Sequence, residues 1–128
     1  MYTPSRNFQD FYIAGFKYYD GLDVIDELKT GTPITLKAEP DNPHDTAAVE
    51  IYYKDTKLGY IPRNVNSKIS TLLVFGHASI FESRIISVNA EQPLEQRFQV
   101  VLKVKDNRDV EHCDRSIDLS QYSTNNLV

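Results

Sequence analysis

Four side chains that could do chemistry crowd one short stretch of the chain. In "EPDNPHDTAAVEIYY" (39–53), Glu39, Asp41, His44 and Asp45 put three carboxylates and an imidazole within seven residues. Carboxylate oxygens and imidazole nitrogens are common metal ligands, so a metal site is the first chemistry to test. The spacing fits neither a helical HExxH pair nor a calcium loop. Turn formation explains the same residues: Pro40 and Pro43 fix φ, and the side chains of Asp41, Asn42 and Asp45 can bond nearby backbone groups. "EHCD" (111–114) is a weaker candidate, because His112 and Cys113 are adjacent and no second pair completes a zinc site. Neither a metal nor a cofactor is expected.

Nucleophilic catalysis has less support still. There is no GxSxG elbow and no glycine-rich phosphate cradle, and the single Cys113 has only an adjacent His as a possible base. A nuclease built on Glu39 or Asp45 would have to hold Mg²⁺ with few ligands. The reading is therefore a protein without catalysis of its own.

A second set of residues is more coherent. Single-stranded nucleic acid is held by aromatic faces under the bases and cations along the phosphates. "FKYYDG" (16–21) interleaves Lys17 with Tyr18 and Tyr19, and "KLGYIPR" (57–63) places Tyr60 and Arg63 three residues apart. Convergence of these two segments with the turn in the 40s would make a small aromatic and basic cleft. The plainer reading is that Tyr18 and Tyr19, on opposite sides of a strand, divide between core and surface, and that Lys17 and Arg63 are ordinary surface cations.

The elements that must position these residues are mostly strands. "FQDFYIAGFKYY" (8–19) is rich in β-favouring aromatics and stops at Asp20-Gly21, which predicts a first strand. Leu22, Ile25 and Leu28 predict a short helix or helical turn over 22–31, and residues 33–40 and 47–53 alternate as strands either side of the turn. Residues 57–61 predict a fourth strand. Ile69, Leu72 and Leu73 predict a helix from Asn64 or Asn66 to Phe75, stopped at Gly76. Residues 78–88 and 97–105 alternate as two further strands. The six strands expected give a fold class that is mainly β with one main helix, in a small, mainly antiparallel barrel or half-barrel.

At 128 residues the chain suits one domain, expected over 8–105, followed by a polar, acidic extension over 106–128. The formal charge is −4, but the extension holds five acids and two bases, which leaves 12 bases and 13 acids in residues 1–105. A generic polyanion binder normally carries a basic excess, so only a local basic patch is compatible with this balance. The lone cysteine fits a reducing compartment, and neither a leader pattern nor an apolar run of ~18 residues is present, so a cytoplasmic protein is expected.

The order "AGFKYYDG … LKAEPDNPHDTAAVEIYY … KLGYIPR … ISTLLVFG" resembles the HIRAN domain over roughly residues 11–104. The resemblance implies a modified OB barrel that binds single-stranded DNA, in a vertebrate helicase-bearing member by capture of a free 3′ end that assists remodelling of stalled replication forks. The turn at 40–45 would then frame a pocket for the terminal nucleotide. Lys17 stands where that member has an arginine, and Tyr18 matches its stacking tyrosine. Asn42 and Asp45 match polar residues of the turn, with Asp45 as the acceptor for the 3′-hydroxyl.

Departures from that pattern are His44 for a tyrosine, Tyr60 for a histidine and Arg63 for a lysine. The loop at 87–96 lacks a matching second aromatic wall, for which Phe81 is the nearest candidate. The expected DNA-binding set is thus Lys17, Tyr18, Tyr19, Asn42, His44, Asp45, Tyr60 and Arg63. The expected role is recognition of a 3′-hydroxyl end in DNA repair or fork processing, with a separately encoded helicase or nuclease as further partner and no membrane. The alternative is a protein-interaction module on the same barrel with no DNA site.

Overall fold

The computed structural model describes residues 5–106. Six strands form two antiparallel sheets of three: β1 (Ser5–Tyr12), β6 (Phe98–Lys105) and β5 (Phe81–Val88) in the order β1-β6-β5, and β2 (Thr35–Ala38), β3 (Val49–Tyr53) and β4 (Thr56–Tyr60) in the order β2-β3-β4. The one α-helix, α1 (Ser67–Val74), follows β4. Its last turn is closed by Gly76 and His77, whose N–H groups donate to the carbonyls of Leu73 and Leu72. No helix among the described residues is long and apolar enough to cross a membrane. Apart from Asp106, the acidic extension, with the His112-Cys113 pair, lies outside the described residues.

The sheets do not close into one continuous ladder. Two single antiparallel bridges, Ala14 to Tyr60 and Pro33 to Arg84, link them at opposite edges. At the second edge Ile34 N–H donates to the Ser83 carbonyl at 3.1 Å, and the buried Ser83 hydroxyl donates to the Ile34 carbonyl at 2.9 Å. Register shifts at Phe8 in β1, Ile86 in β5 and Leu58 in β4 each add one residue to a strand. Such bulges raise the local twist, which lets two short sheets wrap one core. The result is the mainly β architecture that the alternation predicts, a barrel joined at only two seams and compatible with the OB-like fold that the resemblance implies.

The core lies between the sheets. Phe11, Ile13, Phe16, Val49, Ile51, Leu58, Ile85, Phe98, Val100 and Leu102 are all buried, and Leu28 and the α1 residue Ile69 join the same cluster. Each such side chain contributes about 1.5–3 kcal/mol relative to exposure. Four of the predicted strands and the helix sit inside the expected ranges, while residues 78–80 begin as a 3-10 turn before β5.

The first strand is where the sequence reading fails. Strand pairing ends at Tyr12, and Phe16–Tyr18 and Asp20–Glu27 form 3-10 turns. Burial overrides the β preference of "FKYY": Phe16 is fully buried and stacks on Phe98 at 4.8 Å between ring centroids. The chain therefore turns at Gly15, where the Tyr18 N–H returns to the Gly15 carbonyl at 2.9 Å. Tyr18 and Tyr19 leave on a turn rather than on opposite faces of a strand.

Gly59 makes the first seam possible. Its φ is +154°, and a Cβ there would collide with the Ala14 carbonyl oxygen and stand 2.8 Å from Ile13 Cγ2. At Gly31, φ is also positive at +94°, but a Cβ would meet nothing within 4 Å. Gly59→Ala should therefore cost about 2–5 kcal/mol, combining backbone strain with overpacking, whereas Gly31→Ala carries the strain alone, about 1–2 kcal/mol. Chemical denaturation of both variants checks the order, and equal losses would rule out the close approach at the seam.

Candidate nucleic-acid interface

The seam at Ala14 and Tyr60 is also where the candidate site forms. Ala14 and Tyr60 exchange backbone hydrogen bonds at 2.8 and 2.9 Å, which lays the 15–19 turn against the end of β4. β3 starts directly after the 39–48 turn, and the Ile61 N–H donates to the Val49 carbonyl at 3.0 Å, so the turn is held beside residues 60–63. Between these segments lies a cavity of about 400 Å³. Its lining includes Tyr18, Tyr19, Asn42, His44, Asp45, Tyr60 and Arg63, seven of the eight residues expected from sequence.

Lys17 stands beside the cavity rather than in it. Its ammonium pairs with Glu95 at 3.4 Å and lies 5.3 Å from the centroid of the Tyr18 ring. Tyr18 itself is 73% exposed, an unusual placement for an aromatic ring and one that leaves a face free for stacking. Tyr19 and Tyr60 are half-buried and meet edge to face at 5.7 Å. No residue of the 87–96 loop lines the cavity; its aromatic lining is Tyr18, Tyr19, His44 and Tyr60. Phe81 belongs elsewhere, against Phe8 at 5.5 Å and on a separate groove.

The turn is built by Asn42. Its Oδ1 accepts the N–H groups of His44 at 2.8 Å and Asp45 at 3.1 Å, and its Nδ2 donates to Glu39 Oε1 at 2.9 Å. An amide that closes a turn through both ends acts as a backbone mimic. Both of its polar atoms are thus engaged within the turn. Glu39 also accepts the Tyr60 hydroxyl at 2.7 Å. The bonds from Asn42 and Tyr60 hold its carboxyl below the usual carboxylate range. Among the described residues no cluster of three or more His, Cys, Asp or Glu could hold a metal, and Glu39 and Asp45 are each engaged by other partners.

Asp45 presents its carboxylate from the end of that turn. Oδ2 accepts Asn66 Nδ2 at 3.0 Å, Oδ1 accepts the Ala47 N–H at 2.9 Å, and Arg63 Nε lies 3.7 Å from Oδ2. These contacts, the Asn66 bond foremost, push the Asp45 carboxyl down, so it is ionised at neutral pH with lone pairs to spare. Arg63 donates from Nη2 to the His44 carbonyl at 3.0 Å, yet its side chain remains 71% exposed. A hydroxyl donor could reach Asp45, and an anion could reach Arg63.

Three participants escape the sequence reading as site residues. Asn66 sits at the N-cap of α1, where asparagine normally bonds its own helix, but its buried amide reaches Asp45 instead. Glu39 reads as a metal or nuclease candidate, and its actual partners are in the turn and on β4. Lys57 lies behind the cavity, 4.4 and 4.3 Å from the centroids of Tyr19 and Tyr60.

Comparison with known proteins agrees with this fold. The model of the HIRAN domain matches residues 7–105. A protein from Lactobacillus plantarum of known structure aligns with a TM-score of 0.69 at 20% identity, over 83% of this chain and 100% of that one. The HIRAN domain of human HLTF aligns with a TM-score of 0.57 at 14% identity, over 91% of each chain. No curated protein matches. With the family's pattern spanning nearly all of the described residues and the same architecture in both solved structures, the chain belongs to the HIRAN domain family.

Proposed function

We propose that the cavity between the 15–19 turn, the 39–48 turn and residues 60–63 binds single-stranded DNA, preferentially at a free 3′ end. The observation that carries this reading is the convergence of three tyrosine rings, an ionised Asp45 and an exposed Arg63 in one cavity. It occurs in a family known as a DNA-binding module. A cavity near the lower end of the ~300–1,000 Å³ typical of ligand sites suits one terminal nucleotide and is too small for a duplex. Tyr18 supplies the stacking face, Arg63 a phosphate contact, and Asp45 accepts the terminal hydroxyl. The protein then acts as a non-catalytic recognition module in DNA repair or fork processing, supplied to a separately encoded helicase or nuclease.

Fluorescence anisotropy at low salt with 5′-labelled oligo-dT tests the end preference. The 3′-hydroxyl form should bind more tightly than its 3′-phosphorylated twin by about 1 kcal/mol, the repulsion of two unit charges about 4 Å apart in watery surroundings. Equal binding reduces the role to general single-strand affinity, and binding to neither oligonucleotide favours a protein-interaction module. Tyr18→Ala should lose about 1–3 kcal/mol of binding while remaining folded; wild-type affinity in that variant removes the stacking role. Affinity should also fall with salt at a log–log slope of about −0.7 to −1.4, for one or two phosphates neutralised by Arg63 and Lys17. A slope near zero means that neither cation meets a phosphate.

A further inference from the structure

Lys57 does not line the cavity, yet it touches both half-buried tyrosines that do. Its side chain is 20% exposed and its Nζ stands 3.0 Å from Glu50 Oε2. The extra residue at Leu58 explains the arrangement. Tyr60 pairs with Glu50 and Lys57 with Tyr52, so the bulge brings two residues three apart in sequence onto one face of the sheet. A regular strand would have pointed them in opposite directions.

From Lys57 a chain of hydrogen bonds runs to the far side of the cavity. Lys57 Nζ donates to the Tyr60 hydroxyl oxygen at 2.9 Å, and that hydroxyl donates to Glu39 Oε1 at 2.7 Å. The same Glu39 oxygen accepts Asn42 Nδ2, and Asn42 Oδ1 holds the N–H groups of His44 and Asp45. The links run in this direction with a charged lysine, a neutral phenol and an ionised carboxyl. Burial raises the Tyr60 phenol. At Lys57 burial opposes the charge, but Tyr60 and Glu50 outweigh it and hold the ammonium above the usual lysine range. Glu39 is held ionised by Asn42 and Tyr60.

We propose that Lys57, Tyr60, Glu39 and Asn42 form a positioning relay that fixes the aromatic wall relative to the Asp45 carboxylate, with Lys57 as its anchor and without contact between Lys57 and the ligand. This rests on the single-strand reading for its effect on binding, but not for the relay itself. A salt bridge with Glu50 would satisfy Lys57 without Tyr60, and stacking uses the Tyr60 ring rather than its hydroxyl. The hydroxyl's place between a cation and a carboxylate is therefore accounted for by positioning.

Tyr60→Phe keeps the ring and removes the link. Two readouts are taken: the backbone amide resonances of His44 and Asp45 without DNA, and anisotropy with 3′-hydroxyl oligo-dT. The expected result is a shift of both amides and binding weaker by about tenfold or more, from the lower end of what one hydrogen bond to a charged group contributes upward. Lys57→Met should weaken binding similarly and Lys57→Arg should restore part of it, since guanidinium can still meet both the rings and the hydroxyl. Unmoved amides in Tyr60→Phe overturn the relay. Moved amides with unchanged affinity overturn its role in binding, and equal affinities of the Met and Arg variants overturn Lys57 as anchor. If the wild-type protein binds neither oligonucleotide form, the single-strand reading fails and the amide readout alone decides the relay.

Discussion

The pair of hydrogen bonds between Ala14 and Tyr60 is the contact on which the site depends. It is the single bridge that joins β1's sheet to β4's sheet at this edge, and Gly59 is the residue that lets the two backbones come close enough to make it. Tyr18 and Tyr19 belong to the segment after one partner, while Tyr60 and Arg63 belong to the other. Without that bridge the 15–19 turn, which carries Tyr18 and Tyr19, would lose its backbone tie to Tyr60 at the end of β4.

Most of the fold was legible because its strands follow the simple alternation of a half-buried sheet. Ile34 and Leu36, Val49 and Ile51, and Val100 and Leu102 advertise their inward face directly. The overrun of the first strand has a definite cause. Phe16 is a strand-favouring residue whose best burial lies against Phe98 on β6, and reaching it requires a turn that no local propensity announces. Tertiary packing decided that segment.

Legibility of the site followed the same division. The dense pattern around Asn42, His44 and Asp45 reads locally as a turn, and only the resemblance to HIRAN domains makes these residues candidates for binding, whereas the spacing of Tyr60 and Arg63 suggests a cleft by itself. Asn66 and Lys57 could not be named from sequence. Asn66 reads as a helix cap, and only the packing of α1 beside the turn turns its amide toward Asp45. Lys57 and Tyr60 have a spacing that a regular strand would split between two faces, and a bulge leaves no clear mark in one sequence. Lys17 shows the converse, since a residue adjacent to a site in sequence can be drawn aside by an ion pair with a distant loop, here Glu95.

The two sheets share a core but only two backbone seams, and the cavity straddles one of them. Any molecule seated there touches residues 14–19 on one side and residues 42–48 and 60–66 on the other. Occupancy therefore adds a second fastening across an edge that the ladders leave nearly open. Because such a molecule has no comparable site on the unfolded chain, its binding free energy also resists parting of the sheets. The place where this small barrel is least stitched by its own backbone is the place where a ligand can stitch it.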